Sequence, residues 1–598
     1  MPRERAEREL AHMVESVRHE SFYNSGTWID EKLGIYVGWV AREGSFGLPM
    51  PVCNETGDRI LVFSGEEYPD PGLRRQLRQR GHTVTENGPD YLVHVAEDDP
   101  SFPAALNGRF HGLLIDRTAG TAMLFNDRYG MHRIYTHEAS GTVYFGAEAK
   151  ALLSVSPELR VTDLRGLGEL VTCGCVLENR TIFKGIQVLP PASAWVFRNA
   201  AIEKKTAYFN PQEWESQGPL DMEPYYQQVR EVFTRNLPRY FNGKQPIGVS
   251  LTGGLDSRMI MSWHKAPAGS LPCYSFGGMF RDCQDVTMAR RVAASCHQPH
   301  QVIPVADEFL SRFGHYSERT VYLTDGCSDV SHAPDLYINE IARQIAPVRM
   351  TGNYGGEVLR SVRAFKPVAV APGLFREEMS PYFQQAKQTY ASLLHGHPLS
   401  FAVFRQAPWH HYSLQALEQT QIALRSPYLD NDFVKTVFRA PQAALTSNDV
   451  SLRLIADGDP ELRKIRTDRG LGGNLDELSS TVLRQYLEFT FKAEYAYDYG
   501  MPQWVAKIDH AFSALHFERL FLGRHKFYHF RYWYRAPLAA YVRETLLDPR
   551  TLARPYVQRD QVEKIVQGHL KGDRNYTTSI HKLLTLEHVH RQLIDSTN

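Results

Sequence analysis

Apolar and polar residues alternate along this chain with two periods, and the period changes along its length. Residues 5–20 place Leu10, Met13, Val14 and Val17 at helical spacing, which predicts an amphipathic helix. From residue 34 the pattern shifts to short apolar runs rich in β-branched and aromatic residues. Residues 34–40, 59–63, 91–95, 112–116, 122–125 and 142–145 are read as strands. Many short strands with few long helices predict stacked sheets. Residues 204–220 are polar, with Asn210-Pro211 and Gly218-Pro219, and read as a linker. Beyond it strands and helices alternate. A helix is expected over 223–236, a strand over 247–251, a helix from Ser257, a strand over 273–278, a helix around 288–293 and a strand over 302–305. Such alternation predicts a parallel sheet with ligands at the carboxyl ends of its strands. Residues 480–598 read as helical and aromatic, as in Phe527-Tyr528-His529-Phe530-Arg531-Tyr532-Trp533-Tyr534. Aromatic density of this kind points first to helix packing.

Composition adds limits. A chain of 598 residues is long enough for at least two domains. Lys plus Arg equals Asp plus Glu at 67 each, so net charge gives no argument for nucleic acid or an anionic membrane. No apolar stretch approaches transmembrane length. Met1-Pro2-Arg3-Glu4-Arg5 carries both signs of charge and does not resemble a secretory leader. The seven cysteines are scattered without a Cys-x-x-Cys pair, which predicts reduced thiols and a cytoplasmic location. The histidines show no metal-ligand spacing.

The most specific string is Val249-Ser250-Leu251-Thr252-Gly253-Gly254-Leu255-Asp256-Ser257-Arg258. Two glycines between a strand and a helix start let backbone N–H groups approach a phosphate. Asp256 stands where a carboxylate could hold Mg²⁺ against phosphate oxygens. No Gly-Lys-Ser/Thr follows, so this is not a Walker A loop. The glycines alone would also serve an ordinary strand-to-helix connection.

The complete Thr-Gly-Gly-Leu-Asp-Ser string resembles the pyrophosphate loop of ATP pyrophosphatases, above all the asparagine synthetase family. Upstream, residues 106–112, Asn126-Asp127-Arg128-Tyr129-Gly130, residues 144–152, Phe183-Lys184-Gly185-Ile186 and Leu189-Pro190-Pro191-Ala192 follow the order and spacing of that family's glutaminase domain. The resemblance implies an N-terminal-nucleophile-like αββα sandwich, followed by an ATP pyrophosphatase parallel-sheet domain with a helical C-terminal part. The boundaries expected are an N-terminal helical extension 1–32, a sandwich 33–203, a linker 204–220 and a synthetase-like domain 221–598. Asp127-Arg128 is read as a structural pair or turn. A glutaminase of this type needs an N-terminal cysteine. The family's start aligns with residues 33–38, which puts Leu33 at the nucleophile position, and its Asn-Gly-Glu string resembles Ser64-Gly65-Glu66, with an Asp retained at Asp90. The sandwich is therefore expected to lack glutaminase activity.

In the second half the resemblance assigns Leu251, Thr252, Gly253, Gly254, Leu255, Asp256, Ser257, Thr351 and Gly352 to the nucleotide, and Asp256 and Glu357 to the metal. Ser275 to Gly278, at the carboxyl end of a parallel strand, are candidates for backbone contact with adenine, and a plain strand end is the alternative. The string Thr351-Gly352-Asn353-Tyr354-Gly355-Gly356-Glu357 departs from the family's second loop, with Asn353 and Gly356 in place of acidic residues. With one inserted residue it resembles the Tyr-Gly-Ser-Asp of β-lactam synthetases. Tyr354 is then a proton-transfer candidate, although a tyrosine needs strong pKa lowering for that role. A glycine-rich loop with no chemistry accounts for the same residues. Residues 418–430 resemble the family's Glu-x-Arg-x-Pro-Phe-Leu-Asp stretch, with Arg425 and Asp430 read as structural and one of Asp430, Asn431 or Asp432 as a helix cap. In residues 462–473 the family carries a lysine that neutralises pyrophosphate. Lys464, Arg466 and Arg469 are candidates, and a solvated basic turn is the alternative.

The resemblance implies an ATP-dependent amide ligase that adenylates a carboxylate and passes it to an amine or ammonia, with ATP and Mg²⁺ as cofactors. An intramolecular amide-forming ligase and a non-catalytic nucleotide-binding scaffold are the alternatives. The expected partners are a small-molecule or peptide carboxylate and an amine, without nucleic acid or membrane, and a homodimer fits equally.

Overall fold

The computed structural model describes residues 1–473, 477–511 and 521–596. Helix α1 (Arg3–Ser16) opens the chain and lies on strand β2 (Ile35–Arg42), which pairs antiparallel with β1 (Tyr23–Asp30) over eight residues. Strands β3 (Val52–Cys53), β4 (Arg59–Glu67), β5 (Gly108–Asp116), β6 (Thr121–Asn126), β10 (Ser193–Arg198) and β11 (Ala201–Ala207) form one antiparallel sheet in the order β11-β10-β6-β5-β4-β3. Strands β7 (Tyr135–Ala139), β8 (Thr142–Gly146) and β9 (Gln187–Val188) form a smaller sheet in the order β8-β7-β9.

The two-residue period of β4 explains the layering. Leu61 and Phe63 join Leu77 of helix α2 (Leu73–Gln79) and Tyr91, Leu92, Val93 and Val95 of helix α3 (Tyr91–Asp98). Ile60 and Val62 face the opposite way, onto Val37 of β2, Leu113, Ile115, Leu124 and Trp195. Helix α1 and helix α4 (Ala149–Leu153) cover the far side, giving an αββα stack.

Three expectations are corrected. Residues 91–95 form a helix, not a strand. A short, mostly apolar run fits either element, and here Tyr91, Leu92, Val93 and Val95 pack in the core shared with the sheet and α2, while the buried His94 turns to Glu97. Residues 1–32 are not only a helical extension, because β1 lies within them and supplies the partner of β2. The polar segment expected as a linker from 204 begins as the edge strand β11, whose outward residues are polar because they face solvent, and Trp214 is buried shortly afterwards.

The second half holds a five-stranded parallel sheet, order β14-β13-β12-β15-β16. Its strands are β12 (Ile247–Ser250), β13 (Cys273–Gly278), β14 (His300–Val305), β15 (Val348–Met350) and β16 (Ala423–Arg425). The central β12 pairs with both β13 and β15, so three strand ends reach one edge together. The C-terminal helices pack on this domain, with Phe530, Trp533, Val542 and Ile580 in one core with Tyr274 and Ile303. Among the described residues, no helix is long and apolar enough to cross a membrane.

The domains are clamped together through residues 424–430. Arg425 makes a fork onto Glu66 at 2.7–3.1 Å, Arg109 donates to the Leu424 carbonyl, and Asp430 accepts from Asn107 at 3.0 Å. Asp430 also caps the helix Asn431–Val437 through the N–H groups of Asp432 and Phe433.

Candidate active site

The carboxyl end of β12 runs directly into the glycine loop. Leu251 N–H still bonds across the sheet to the Tyr274 carbonyl at 2.8 Å. The chain then leaves the sheet, and Asp256 begins the helix Asp256–Trp263. Thr252 Oγ1 and Ser257 Oγ stand 3.4 Å apart across the turn, and the exposed Gly254 N–H leans on Thr252 Oγ1 at 3.3 Å. Gly253 N–H donates to Asp285 at 2.7 Å, from the first turn of the helix Gln284–Ser295.

The segment after β15 interlocks with this turn. A Cβ on Gly352 would lie 2.6 Å from Ser257 N, and one on Gly355 would lie 2.5 Å from Asp256 Cγ. Thr351 is tied to the Arg425 carbonyl by its N–H (3.0 Å) and to Asn353 by its hydroxyl (2.9 Å). Gly352 and Gly355, two of the glycines legible in residues 351–357, are thus required by close approach of two loops.

Charge gathers at this junction. Asp256 is gripped by Arg360 at 2.8 and 3.0 Å. Burial raises its pKa, and Arg360 offsets this only in part. Glu357, on the same helix as Arg360 and close enough to act on Asp256, lies 3.3 Å from His411 Nε2. Burial works to raise the Glu357 pKa, but hydrogen bonding and charge from His411, together with its own backbone N–H and Arg360, hold the carboxyl below its usual range. Hard oxygen donors of this kind suit Mg²⁺, and Asp256 and Glu357 are the residues that would hold it. Arg360 supplies the competing cation.

Tyr354 adopts a left-handed backbone (φ 72°), is buried, and donates its hydroxyl to Gln415 at 2.9 Å. Burial pushes its pKa up, opposite to the shift a proton acceptor needs. Lys464 ends a short helix with its ammonium paired to Glu461 and its side chain 49% exposed, so it faces solvent. The segment that follows it does reach the loop. Arg258 donates to the carbonyls of Gly253, Ile465 and Arg466, and Asp468 N–H donates to the Gly253 carbonyl at 3.1 Å. The Asp468 carboxylate thereby comes close to Asp285, whose carboxyl is pushed up to about 7 by burial and by that neighbour. Asp285, Arg360 and His411 were not legible as site residues, because their signal lies in three-dimensional proximity and not in spacing.

Ser275 Oγ and His300 Nε2 lie 3.0 Å apart, which commits the hydroxyl, and its backbone runs in the β13–β14 ladder opposite Val302. A Cβ on Gly278 would lie 2.7 Å from the Phe527 carbonyl, so the aromatic C-terminal segment walls this end of the sheet.

A cavity of about 620 Å³ lies against the first domain and is closed on one side by Tyr412, Gln419, Thr420, Ala423 and Leu424 of the second. Its wall includes all of β2 and β8 together with Ser64, Gly65, Glu66, Arg109 and His132. Ser64 Oγ bonds His132 Nε2 at 2.9 Å, while Glu66 is committed to Arg425 and to the Tyr68 hydroxyl. Leu33 sits in the β1–β2 turn, its N–H on Asp30. Asp90 accepts from Thr85, and Cys53 is exposed on β3, outside the cavity wall.

The family model described as "Glutamine amidotransferase domain" matches residues 1–209, and the one described as "Asparagine synthase" matches residues 228–423. Asparagine synthetase [glutamine-hydrolyzing] 3 of Bacillus subtilis (strain 168) is 25% identical over 355 residues, which is 54% of this chain and 55% of that protein. Asparagine synthetase [glutamine-hydrolyzing] 1 of the same organism is 22% identical over 375 residues, covering 61% and 57%. The chain therefore spans little more than half the length of these curated relatives. A solved structure titled "Structure of the allosteric regulatory enzyme of purine biosynthesis" aligns at 9% identity over 50% of this chain and 77% of that one, with a TM-score of 0.25, too slight to argue from.

Proposed function

The chain belongs to the asparagine synthetase-like family, and from that premise we propose that it is an ATP-dependent amide ligase. A substrate carboxylate attacks the α-phosphorus of ATP, forming a carboxyl O–P bond while the bond to the β-phosphate oxygen breaks and pyrophosphate leaves. An amine then attacks the acyl carbon of the adenylate, AMP departs with the C–O bonding pair, and the amine releases a proton. The observation that carries this reading is the interlocked pair of loops, which brings Asp256, Glu357 and the Gly254 N–H together at the strand ends. Thr252 to Ser257 would hold the pyrophosphate and Asp256 and Glu357 the Mg²⁺, whose charge would stabilise the leaving group. Tyr354 serves as a neutral hydroxyl, not as the base. Lys464 has no part in neutralising pyrophosphate while its ammonium stays on Glu461.

The nitrogen comes from ammonia or an amine substrate. Hydrolysis of glutamine at Ser64-Gly65-Glu66 is not supported, because the Glu66 carboxylate is spent on the domain clamp and no cysteine lies on the cavity wall. Seven free cysteines fit a reducing, cytoplasmic setting. A second reading, a nucleotide-binding protein without turnover, is favoured by one observation: Asp285 and Asp468 bring negative charge to the Gly253 side of the loop. Pyrophosphate release separates the two. Carboxylate-dependent release that disappears in Asp256→Ala supports the ligase. Tight ATP binding without release from any carboxylate supports the second reading.

A further inference from the structure

The first domain carries a cluster that neither the nucleotide site nor the cavity uses. Glu55 lies in the turn between β3 and β4, His82 follows α2, and His94 and Glu97 sit one turn apart on α3. One donor atom from each of the four lies within 4.8 Å of all the others. His82 Nδ1 is 3.8 Å from both Glu55 Oε2 and Glu97 Oε2, and His94 Nδ1 is 3.6 Å from Glu55 Oε2 and 2.8 Å from Glu97 Oε2. Donors around a tetrahedral zinc at its usual bond lengths stand roughly 3.3–3.6 Å apart, so three of these separations are long for hydrogen bonds and close to those of a shared ion.

The outward atoms of three of these residues are already held. His82 Nε2 faces Asp98 Oδ1 at 3.2 Å, Thr83 N–H donates to Glu55 Oε1 at 2.6 Å, and Asn54 Nδ2 donates to Glu97 Oε1 at 2.6 Å. Outer partners of this kind fix ligand orientation in metal sites. His94 is 2% exposed and points its Nδ1 into the cluster. Among the described residues, neither Glu55 nor Glu97 pairs with a lysine or arginine, so imidazoles are the charged partners these two carboxylates have.

We propose that Glu55, His82, His94 and Glu97 form a binding site for a divalent metal ion of the zinc class, which staples the β3–β4 turn and the segment after α2 to helix α3. Two imidazoles with two carboxylates suit Zn²⁺ better than Mg²⁺, which prefers oxygen donors throughout. The site shares no residue with the nucleotide loops, so its role is to brace the amidotransferase-like domain and not to act in ligation.

The test uses the full chain, stripped with a chelator, re-equilibrated with Zn²⁺ and freed of loose metal by gel filtration. Metal content by mass spectrometry should read about one zinc per chain. His82→Asn and Glu55→Gln should each bring it near zero. Zinc should raise the Tm of the parent and leave that of both variants unmoved. Glu55 is half-exposed, so Glu55→Gln carries the test if His82→Asn fails to fold. No retained zinc in the parent, or undiminished zinc in a folded Glu55→Gln, would overturn the proposal.

Discussion

Two glycine strings, Ser64-Gly65-Glu66 and Gly253-Gly254-Leu255-Asp256, look alike in sequence and are used differently. Gly65 lies inside β4 opposite Phe110 with φ 103°, and a Cβ there would meet the Arg109 carbonyl at 2.2 Å. Its glycine is demanded by strand pairing, and the acid that follows binds the other domain through Arg425. Gly253 lies beyond the end of its strand, and a Cβ there would meet Asp468 Cβ at 2.7 Å. Its glycine is demanded by a docking loop, and the acid that follows stays in its own site beside Arg360 and Glu357. A glycine followed by an acid is thus a signal of close approach. Where the acid's oxygens end decides whether the approach is structural or chemical.

The comparison breaks most visibly in the acids themselves. Asp256→Ala should reduce carboxylate-dependent pyrophosphate release by on the order of 100-fold or more while the protein stays folded, as steady-state assays with circular dichroism would show. Glu66→Ala should do the reverse. Leaving the mostly buried Arg425 without its partner should destabilise the chain by about 3–5 kcal/mol in denaturant titration, with turnover per folded molecule preserved. If both variants lost turnover and kept stability, the two strings would not differ as described.

The glycines sharpen the contrast. Gly355→Ala forces a Cβ against Asp256 and should lower turnover roughly 10-fold or more with a small change in Tm. Gly65→Ala should lower stability by about 1–3 kcal/mol, from the strained φ and the backbone clash, with turnover preserved.

A smaller effect depends on pH. The Asp285 carboxyl has its folded pKa raised from 3.8 to about 7, so the folded chain holds a proton that the unfolded chain has released across that window. The stability from this group is complete below its unfolded pKa and is lost as pH rises through the folded value. Asp285→Asn keeps an oxygen for the Gly253 N–H and removes the titration. Its stability relative to the parent should therefore improve between about pH 5 and about pH 8, measured by denaturant midpoints. Smallest of all, Lys464→Ala should change turnover by less than about 3-fold, because its ammonium sits in a solvent-exposed pair. A much larger loss would mean that Lys464 leaves Glu461 and reaches the loop during turnover.

The parallel sheet was legible because β12 to β14 each combine a short β-branched or aromatic run with a following helix. The αββα sandwich was legible from the order of its strings, although Tyr91–Val95 misled because so short a run of mostly apolar residues carries no decisive period. The glycine loop after β12 could be read because its backbone demands glycine at a fixed position. The charges around it could not. Arg360 reaches Asp256 across 104 positions of sequence, Asp285 reaches Gly253 across 32, and His411 meets Glu357 from a separate helical segment. The same is true of the Glu55, His82, His94 and Glu97 cluster, whose ligand spacing follows no motif and whose convergence depends on the helix that replaced the expected strand.

The central claim is that the loops around Asp256 adenylate a carboxylate, and the nucleotide product tests it most directly. The purified chain would be incubated with Mg-ATP, hydroxylamine and a panel of small-molecule and peptide carboxylates, and the nucleotides resolved by chromatography. AMP and pyrophosphate in equal amounts, with a matching hydroxamate and none of the three in Asp256→Ala, is the predicted result. Saturable ATP binding that yields no AMP with any carboxylate would contradict it.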